Sequence, residues 1–197
     1  MTDGPTAGLS AGEIAAIVSR LAREIDADHP GGVAIVGLLK GGVFLVADLV
    51  RALTVPCTVD FLALSSYAAG ERRVRILKDL DKDVSGEDVI VAADVVDTGL
   101  SIRYVIDLLE RRGARHVEVC TLLDRPGRRI LPVPLKYCGT GATEDFLVGY
   151  GLDFADRYRN LPAIYVVDPE TISRERGPFE AAVFGPDRAV STADPRE

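Results

Sequence analysis

The apolar positions of the chain recur at two spacings, which predict two kinds of element. From Ser10 to Ile25 they repeat at helical intervals, and Ser10 followed by Glu13 has capping-box spacing, so we expect an amphipathic helix that ends before Pro30. Further helical patterns occupy 41–53 and 100–111. Short, mostly apolar runs bounded by Gly or Pro are candidate strands, at 32–39, 57–66, 88–94 and 116–123.

Strands that alternate with helices predict an α/β fold. Several of the runs are apolar throughout, as expected for a parallel sheet that is flanked by helices on both faces. From Asp124 onward the pattern is irregular, and we expect a small hood subdomain, formed mainly by 124–160 and the N-terminal segment, before a last core strand at 163–167. Residues 1–168 are thus predicted to form a single domain. Residues 169–197 form a partly flexible tail in which only 179–184 is expected to pack, as a turn.

Composition and charge exclude several classes of protein. The 197 residues are 47% hydrophobic, enough for one domain with its own core. A net charge of -7 without a dense basic cluster argues against a nucleic-acid partner. The chain has neither a signal-peptide pattern nor an uncharged stretch of the ~18 residues that span a bilayer, so we expect a cytoplasmic protein without a membrane partner. Three widely spaced cysteines predict reduced thiols and neither a disulfide framework nor a zinc site.

The stretch "DVIVAADVVDTGLS" (88–101) carries the candidate chemistry. It places Asp94 and Asp97 where a buried strand ends and a helix begins, the edge at which parallel α/β sheets bind ligands. The amides of the Thr-Gly turn lie at a helix N-terminus, which favours an anion such as phosphate. Carboxylates beside a phosphate would then serve sugar hydroxyls, a metal ion or a proton transfer. The alternative is that the two aspartates only cap the helix.

This stretch resembles the phosphoribosyl-pyrophosphate signature of type I phosphoribosyltransferases. The chain as a whole is most similar to the hypoxanthine-guanine phosphoribosyltransferase family. The matching segments follow one another in family order over residues 33–168: "GLLKGGVFLVADLVR" (37–51), "VDFLALSSY" (59–67), "ILKDLDKDVSG" (76–86), the signature, "TLLDRPGRR" (121–129) and "DFLVGYGLDFADRYRNLP" (145–162).

The resemblance implies an enzyme of purine salvage. It would transfer ribose 5-phosphate from phosphoribosyl pyrophosphate to N9 of hypoxanthine or guanine, with Mg²⁺ as cofactor and pyrophosphate as the second product. Asp97 would take up the N7 proton, and Arg125, Phe146 and Leu147 would bind the purine. Asp94 would bind the ribose hydroxyls and a metal ion, and Asp153 a second metal ion.

The resemblance also assigns residues to phosphoribosyl pyrophosphate. A loop with a cis peptide before its lysine would bind the pyrophosphate, a second loop would close over it, and the signature turn would hold the 5′-phosphate. The implied residues are Leu39, Lys40, Gly41, Ser66, Tyr67, Asp94, Thr98, Gly99, Leu100, Ser101 and Arg159.

Three positions depart from the family pattern. Ala93 stands where the family has an acid, Arg125 where it has a base-reading lysine, and "CGTGATEDF" (138–146) replaces the usual purine loop. If the site lacks one carboxylate, Ala93→Glu should tighten phosphoribosyl pyrophosphate binding. If Ala93 instead points into the core, as the alternation of strand neighbours favours, a glutamate there should unfold the strand.

Two other functions stay open at this stage. A non-catalytic sensor of phosphoribosyl pyrophosphate or a nucleotide would explain Ala93, the altered loop and the unassigned tail, which could meet a partner. A transferase for another base would explain Arg125 and the altered loop. The family suggests a homodimer or homotetramer, and the sequence does not rank hypoxanthine, guanine and xanthine. His29 and His116 match no catalytic position and are expected on the surface at helix ends.

Overall fold

The structure is a computed structural model that describes residues 6–65, 74–174 and 176–185. Its strands are β1 (Thr6–Leu9), β2 (Val33–Leu39), β3 (Cys57–Leu64), β4 (Ile76–Lys78), β5 (Asp88–Val96), β6 (His116–Asp124), β7 (Leu135–Gly141), β8 (Phe146–Val148) and β9 (Ile164–Val167). Its helices are α1 (Ala11–Asp28), α2 (Gly42–Ala52), α3 (Leu100–Arg111), α4 (Pro169–Arg174) and α5 (Arg176–Phe184). The elements divide between two units, 12–144 and the remainder of the chain.

A six-stranded sheet organises the larger unit. Its order is β4-β3-β2-β5-β6-β7, and every neighbouring pair is parallel except β3 with β4. The central strands β2 and β5 hold five consecutive buried residues each, 33–37 and 89–93, as expected for strands covered on both faces. The predicted parallel α/β sheet flanked by helices is confirmed.

Helix α1 forms as its periodicity predicts. Its buried residues recur at intervals of three or four and lie along one side, while the intervening positions Ala15 and Ala16 are exposed. The helix ends at Asp28, two residues before Pro30. No helix in the described ranges is long and apolar enough to cross a membrane.

The smaller unit has its own antiparallel sheet in the order β1-β9-β8. Val148, Leu161, Val167 and Ile172 form its buried cluster together with Tyr158. The expectation that 163–167 is a strand of the main core is therefore wrong, because β9 pairs with β1 and β8 instead. An apolar strand satisfies either sheet, and its sequence does not say which.

Two further segments differ from the expectations. Residues 135–141, expected in the hood, form β7 and pair in parallel with β6 at the edge of the main sheet. Residues 179–184, expected as a turn, belong to the helix α5. The wider division into a domain over 1–168 and a tail stays a prediction.

The expectation for the two histidines is wrong for His29. It follows α1 but is only 9% exposed, and its Nε2 lies 2.8 Å from Glu118 Oε2 and 3.1 Å from the hydroxyl of the buried Tyr137. Buried polar groups have hydrogen-bond partners, and those of His29 come from strands that are distant in sequence. His116 is exposed as expected, but it opens β6 and pairs with Asp88 at 2.9 Å.

Ala93 answers the question raised by its sequence. It is 2% exposed and packs in the core cluster with Val91, Val96 and Val105, whereas its neighbour Asp94 is partly exposed. This orientation corresponds to the alternative in which strand alternation turns Ala93 into the core. It removes the physical basis for expecting tighter binding in Ala93→Glu.

Ala93→Glu should instead destabilise the protein. An unpaired carboxylate at this position costs about 3–5 kcal/mol, whereas Ala16→Glu on the exposed side of α1 should leave the free energy of unfolding within about 0.5 kcal/mol of the parent. Urea unfolding of the three proteins measures both values. Parent-like stability of Ala93→Glu would contradict the buried placement.

The three cysteines differ in accessibility, and this can be measured. All are free thiols, but Cys120 is fully buried and burial raises the pKa of its thiol to about 12, while Cys57 and Cys138 are partly exposed. Because thiolates are the reactive form, a disulfide reagent should leave Cys120 unmodified in the folded protein. A Cys57→Ser/Cys138→Ser variant should show no labelling until denaturant is added, and rapid labelling of that folded variant would refute this.

Candidate active site

A pocket lies at the carboxyl ends of β2 and β5. Chain order reverses here, since β2 leads to β3 on one side while β5 and β6 lie on the other, and such a switch point opens a crevice between the two loops that leave the sheet. The pocket measures about 280 Å³ and is lined by 38–41 and by residues between 93 and 102. The larger unit thus brings together the predicted Lys40 loop and the signature turn.

The loop after β2 contains the cis peptide that the resemblance implies, between Leu39 and Lys40. The next residue, Gly41, lies directly beneath the Asp94 carboxylate. A Cβ on Gly41 would be 1.6 Å from Asp94 Oδ2, so only glycine permits this approach. Asp94 is therefore in contact with the lysine loop.

The signature turn forms the N-terminus of α3. Gly99 caps the helix with φ +82°, a left-handed conformation, and a Cβ there would be 2.4 Å from the Leu131 carbonyl oxygen. Thr98 Oγ1 accepts a 3.4 Å hydrogen bond from the Leu100 N–H. The first-turn amides of a helix have no intrahelical acceptor, and such an N-terminus favours an anion.

The two carboxylate oxygens of Asp97 have different surroundings. Oδ2 lies 3.5 Å from Arg128 Nη1, whereas Oδ1 is buried and has no hydrogen-bond partner. Arg128 is also held by Glu144, to which its Nε donates at 2.8 Å. The hydrogen bond to Glu144 and the charge of Asp97 raise the pKa of Arg128.

The loop after β6 supports the same turn through its main chain. Arg129 Nε donates to the Asp97 carbonyl oxygen at 2.9 Å, and the N–H groups of Ile130 and Leu131 donate to the Thr98 carbonyl oxygen at 2.9 and 3.0 Å. Sequence reasoning missed Arg128 and Arg129. The available signal was the pair of arginines just after the strand that neighbours β5, at the same edge of a parallel sheet.

Arg125, the predicted base-reading residue, lies at the start of this loop. Its side chain is 8% exposed, and its backbone N–H donates to the Val96 carbonyl oxygen at 3.0 Å, directly before Asp97 in the chain. A short 3₁₀ helix (Pro126–Arg128) follows. Arg125 is thus fixed by its backbone next to the signature turn.

The smaller unit brings together the two polar residues predicted there. Arg159 Nη2 lies 2.7 Å from Asp153 Oδ1, and Arg159 Nη1 donates to the Gly151 carbonyl oxygen at 2.6 Å. Asp153 also accepts a hydrogen bond from the Asp156 N–H at 2.8 Å. A cation and a carboxylate therefore share one loop.

The two predicted purine-binding residues of this unit lie on β8. Phe146 is 39% exposed, large for an aromatic residue, and meets Phe154 edge to face with 5.6 Å between ring centroids. Leu147 is buried and opposes Val166 in the ladder between β8 and β9. Ser66 and Tyr67, predicted on the closing loop, lie outside the described residues.

The donor set suits a weakly held hard cation rather than a closed metal centre. Within the described residues no three His, Cys, Asp or Glu side chains cluster as metal ligands. Mg²⁺ is commonly held by one or two carboxylates, waters and substrate phosphates, and Asp94 on the pocket wall offers such a carboxylate. Asp153 retains oxygen lone pairs besides those used by Arg159 and Asp156.

Comparison with known proteins places the chain in a family. The phosphoribosyl transferase domain model matches residues 9–155. The hypoxanthine phosphoribosyltransferase of Salmonella typhimurium is 42% identical over 77% of this chain and 89% of its own. The hypoxanthine-guanine phosphoribosyltransferase of Mycobacterium avium is 42% identical over 82% of this chain and 84% of its own.

Solved structures agree with these relatives. A hypoxanthine-guanine phosphoribosyltransferase from Bacillus anthracis superposes with a TM-score of 0.79 at 35% identity, covering 84% of this chain and 99% of that one. The Trypanosoma cruzi hypoxanthine phosphoribosyltransferase gives 0.83 at 29% identity over 89% and 97% of the two chains. With this sheet, this pocket and these relatives, the chain belongs to the type I phosphoribosyltransferases, among the hypoxanthine and hypoxanthine-guanine enzymes.

Proposed function

We propose that this protein salvages 6-oxopurines by transferring ribose 5-phosphate from phosphoribosyl pyrophosphate to purine N9, with release of pyrophosphate. Its relatives are named for this transfer to hypoxanthine and guanine. The observation that carries the proposal is Asp97, a partly exposed carboxylate on the pocket wall at the start of the turn that would bind the phosphate. A carboxylate on the wall of a pocket is a fitting acceptor for a proton from substrate.

Asp97 would act as the general base. The exposed part of this carboxylate, whose Oδ2 lies 3.5 Å from Arg128 Nη1, would take up the N7 proton while N9 attacks the ribose. The bond from Arg129 to the Asp97 carbonyl oxygen fixes the backbone from which this side chain projects. The base is thus oriented before substrate arrives, which is how positioned groups lower a barrier.

The turn that follows would hold the 5′-phosphate. The amides of Thr98, Gly99, Leu100 and Ser101 would be the donors, with the Leu100 N–H leaving its 3.4 Å hydrogen bond to Thr98 Oγ1, and the dipole of α3 would add favourable partial charge. Their distance from Asp97 is fixed because Thr98 is bonded to the loop after β6. The 5′-phosphate and the general base Asp97 would then be held by one rigid turn.

Asp94 and the lysine loop would bind the sugar and the leaving group. Asp94 would accept from the ribose hydroxyls, and Lys40 with the main chain of Leu39 and Gly41 would bind the pyrophosphate. Mg²⁺, held by Asp94 and in a second position by Asp153, would neutralise charge on the pyrophosphate. Cations near the leaving group and carboxylates near the developing oxocarbenium ion stabilise opposite charges that separate in the transition state.

Recognition of the base would rest on Arg125, Phe146 and Leu147. A guanidinium carries only donors, so Arg125 matches the O6 acceptor of a 6-oxopurine and not the amino group of adenine. Phe146 would stack on the ring, and the Leu147 backbone would bind its N1/N2 edge. These three assignments, the roles of Ser66, Tyr67 and Arg159, and a homodimeric or homotetrameric state are predictions.

A non-catalytic sensor is the weaker alternative. Its support was a missing carboxylate at Ala93, the altered purine loop and an unassigned tail, but the Ala93 side chain packs in the core cluster. The Asp97 carboxylate, the glycine under Asp94 and the glycine-capped N-terminus of α3 lie in one pocket. The observations therefore favour an enzyme.

An assay of pyrophosphate release with a set of nucleobases tests this function directly. With phosphoribosyl pyrophosphate and Mg²⁺, hypoxanthine or guanine should release pyrophosphate, and adenine should react at least about 100-fold more slowly, since a mismatched exocyclic group leaves buried donors unpaired. If none of the nucleobases causes release of pyrophosphate, the sensor is favoured. Similar rates with adenine and guanine would remove Arg125 from base selection.

Asp97→Asn should lower kcat by about 10²-fold or more, the usual loss for a general base. Binding of phosphoribosyl pyrophosphate, measured by calorimetry, should stay close to that of the parent, because the phosphate amides and Asp94 are untouched. Asp107→Asn is the matched control, a carboxylate of α3 that is 37% exposed and pairs with Arg103, compared with 38% for Asp97. Turnover of Asp97→Asn within a few-fold of the control would exclude Asp97 as the base.

A further inference from the structure

Glu180 is a buried carboxylate that the proposed mechanism does not use. It lies on α5, beyond the last residue matched by the family model, and is 5% exposed. Its Oε1 accepts a 3.0 Å hydrogen bond from the Tyr158 hydroxyl. Burial of a carboxylate is costly without such a partner, so the fold commits Glu180 to this contact.

Tyr158 occupies a backbone conformation that needs support. Its φ is +73°, in the left-handed region that a bulky side chain rarely adopts. All four non-glycine residues with positive φ in the described ranges lie between 150 and 158. Such residues keep their conformation only where surrounding contacts determine it.

Helix α5 supplies two contacts of the Tyr158 side chain. The ring meets Phe179 edge to face at 5.1 Å between centroids, and the hydroxyl donates to Glu180. Burial, and next the hydrogen bond to Glu180, raise the pKa of Tyr158 to about 12. Tyr158 itself is 4% exposed.

The next residue in the chain is Arg159. Its carbonyl oxygen accepts from the Gly151 N–H at 3.0 Å, its Nη1 donates to the Gly151 carbonyl oxygen, and its Nη2 pairs with Asp153. The backbone conformation at Tyr158 therefore determines the position from which the Arg159 side chain extends. Because Arg159 pairs with Asp153, it also determines the position of the Asp153 carboxylate.

We propose that Glu180 is a positioning residue for pyrophosphate binding, which fixes Tyr158 and thereby Arg159 and Asp153. This inference rests on the proposed function, because the roles of Arg159 and Asp153 toward pyrophosphate come from it. Glu180 does not touch the reacting groups. The tail helix thus serves the loop 149–159 as well as the core of the smaller unit.

Glu180→Ala, Glu180→Gln and Tyr158→Phe test the inference. Glu180→Ala should raise KM for phosphoribosyl pyrophosphate, and weaken calorimetric binding of pyrophosphate with Mg²⁺, by about 10-fold, the scale of one lost hydrogen bond to a charged group. The kcat should change less than about threefold, the pattern expected when the lost binding is common to the ground state and the transition state. Glu180→Gln, whose amide oxygen still accepts from Tyr158, should stay within about threefold of the parent in both readouts.

Amide hydrogen exchange provides a readout that does not depend on activity. Exchange over 150–159 should accelerate in Glu180→Ala and in Tyr158→Phe, which removes only the hydroxyl and carries the test if the alanine variant does not fold. Glu170→Ala is the control, because Glu170 is 80% exposed on the neighbouring α4. It should change neither exchange nor KM.

The outcomes separate the two proposals. If a folded Glu180→Ala protein shows parent-like amide exchange over 150–159, the inference that Glu180 positions this loop is overturned. A lower melting temperature with unchanged KM and unchanged pyrophosphate binding also overturns it, since the role would be only structural. If none of the purines causes the parent protein to release pyrophosphate, the proposed function is refuted. Amide hydrogen exchange then still decides whether Glu180 holds the loop.

Discussion

The parallel pairing of β2 with β5 is the constraint on which the candidate site depends. The register joins Gly37 to Ala92, so the two strands deliver their following loops to the same edge of the sheet. There the Asp94 carboxylate lies against Gly41 at a distance that excludes any Cβ. A larger residue at 41 would displace either the carboxylate or the loop, and both belong to the pocket. The sheet therefore fixes the spacing between the Lys40 loop and the Asp94 carboxylate.

A second constraint acts from the neighbouring strand. Because β6 is parallel to β5, its following loop emerges beside the signature turn and bonds to it at Val96, Asp97 and Thr98. These bonds hold the backbone of the turn, while Asp97 Oδ2 lies 3.5 Å from Arg128 Nη1 and Oδ1 is buried. The position of the Asp97 carboxylate on the pocket wall is therefore fixed by the neighbouring loop as well as by its own strand.

Periodicity and motif together predicted the larger unit well. Strand β5, helix α3 and the turn between them follow from an apolar run, a Gly in the turn and a helical repeat, all of which are local signals. Such local signals do not show which strands pair. The apolar run at 163–167 is compatible with either sheet, and its assignment to the main core was wrong. Strand β7 begins after a segment that is broken by prolines, and its pairing with β6 was not predicted.

Side-chain roles were harder to predict than elements. The environment of His29 comes from Glu118 and Tyr137, residues about 90 and 108 positions away, and no local pattern reports them. Arg128 and Arg129 resemble ordinary surface arginines until the parallel order places them beside Asp97. Ala93 was the opposite case, because strand alternation alone indicated that it and Asp94 face different sides. Here a period of two was more informative than the comparison with a motif.

In the smaller unit, the residues that follow the segment matched by the family model stabilise the antiparallel sheet. A three-stranded antiparallel sheet needs a packed layer on its apolar face to be stable. Ile172 of α4 and Phe179 of α5 supply part of that layer, against Tyr158, Leu161 and Tyr165. Since Tyr158 also turns the chain into Arg159, the layer that stabilises the sheet is continuous with the one that shapes the loop. Burial of Glu180 within it adds a directional contact to apolar packing, and a hydrogen bond fixes a tyrosine hydroxyl to one position where packing alone would fix only the ring.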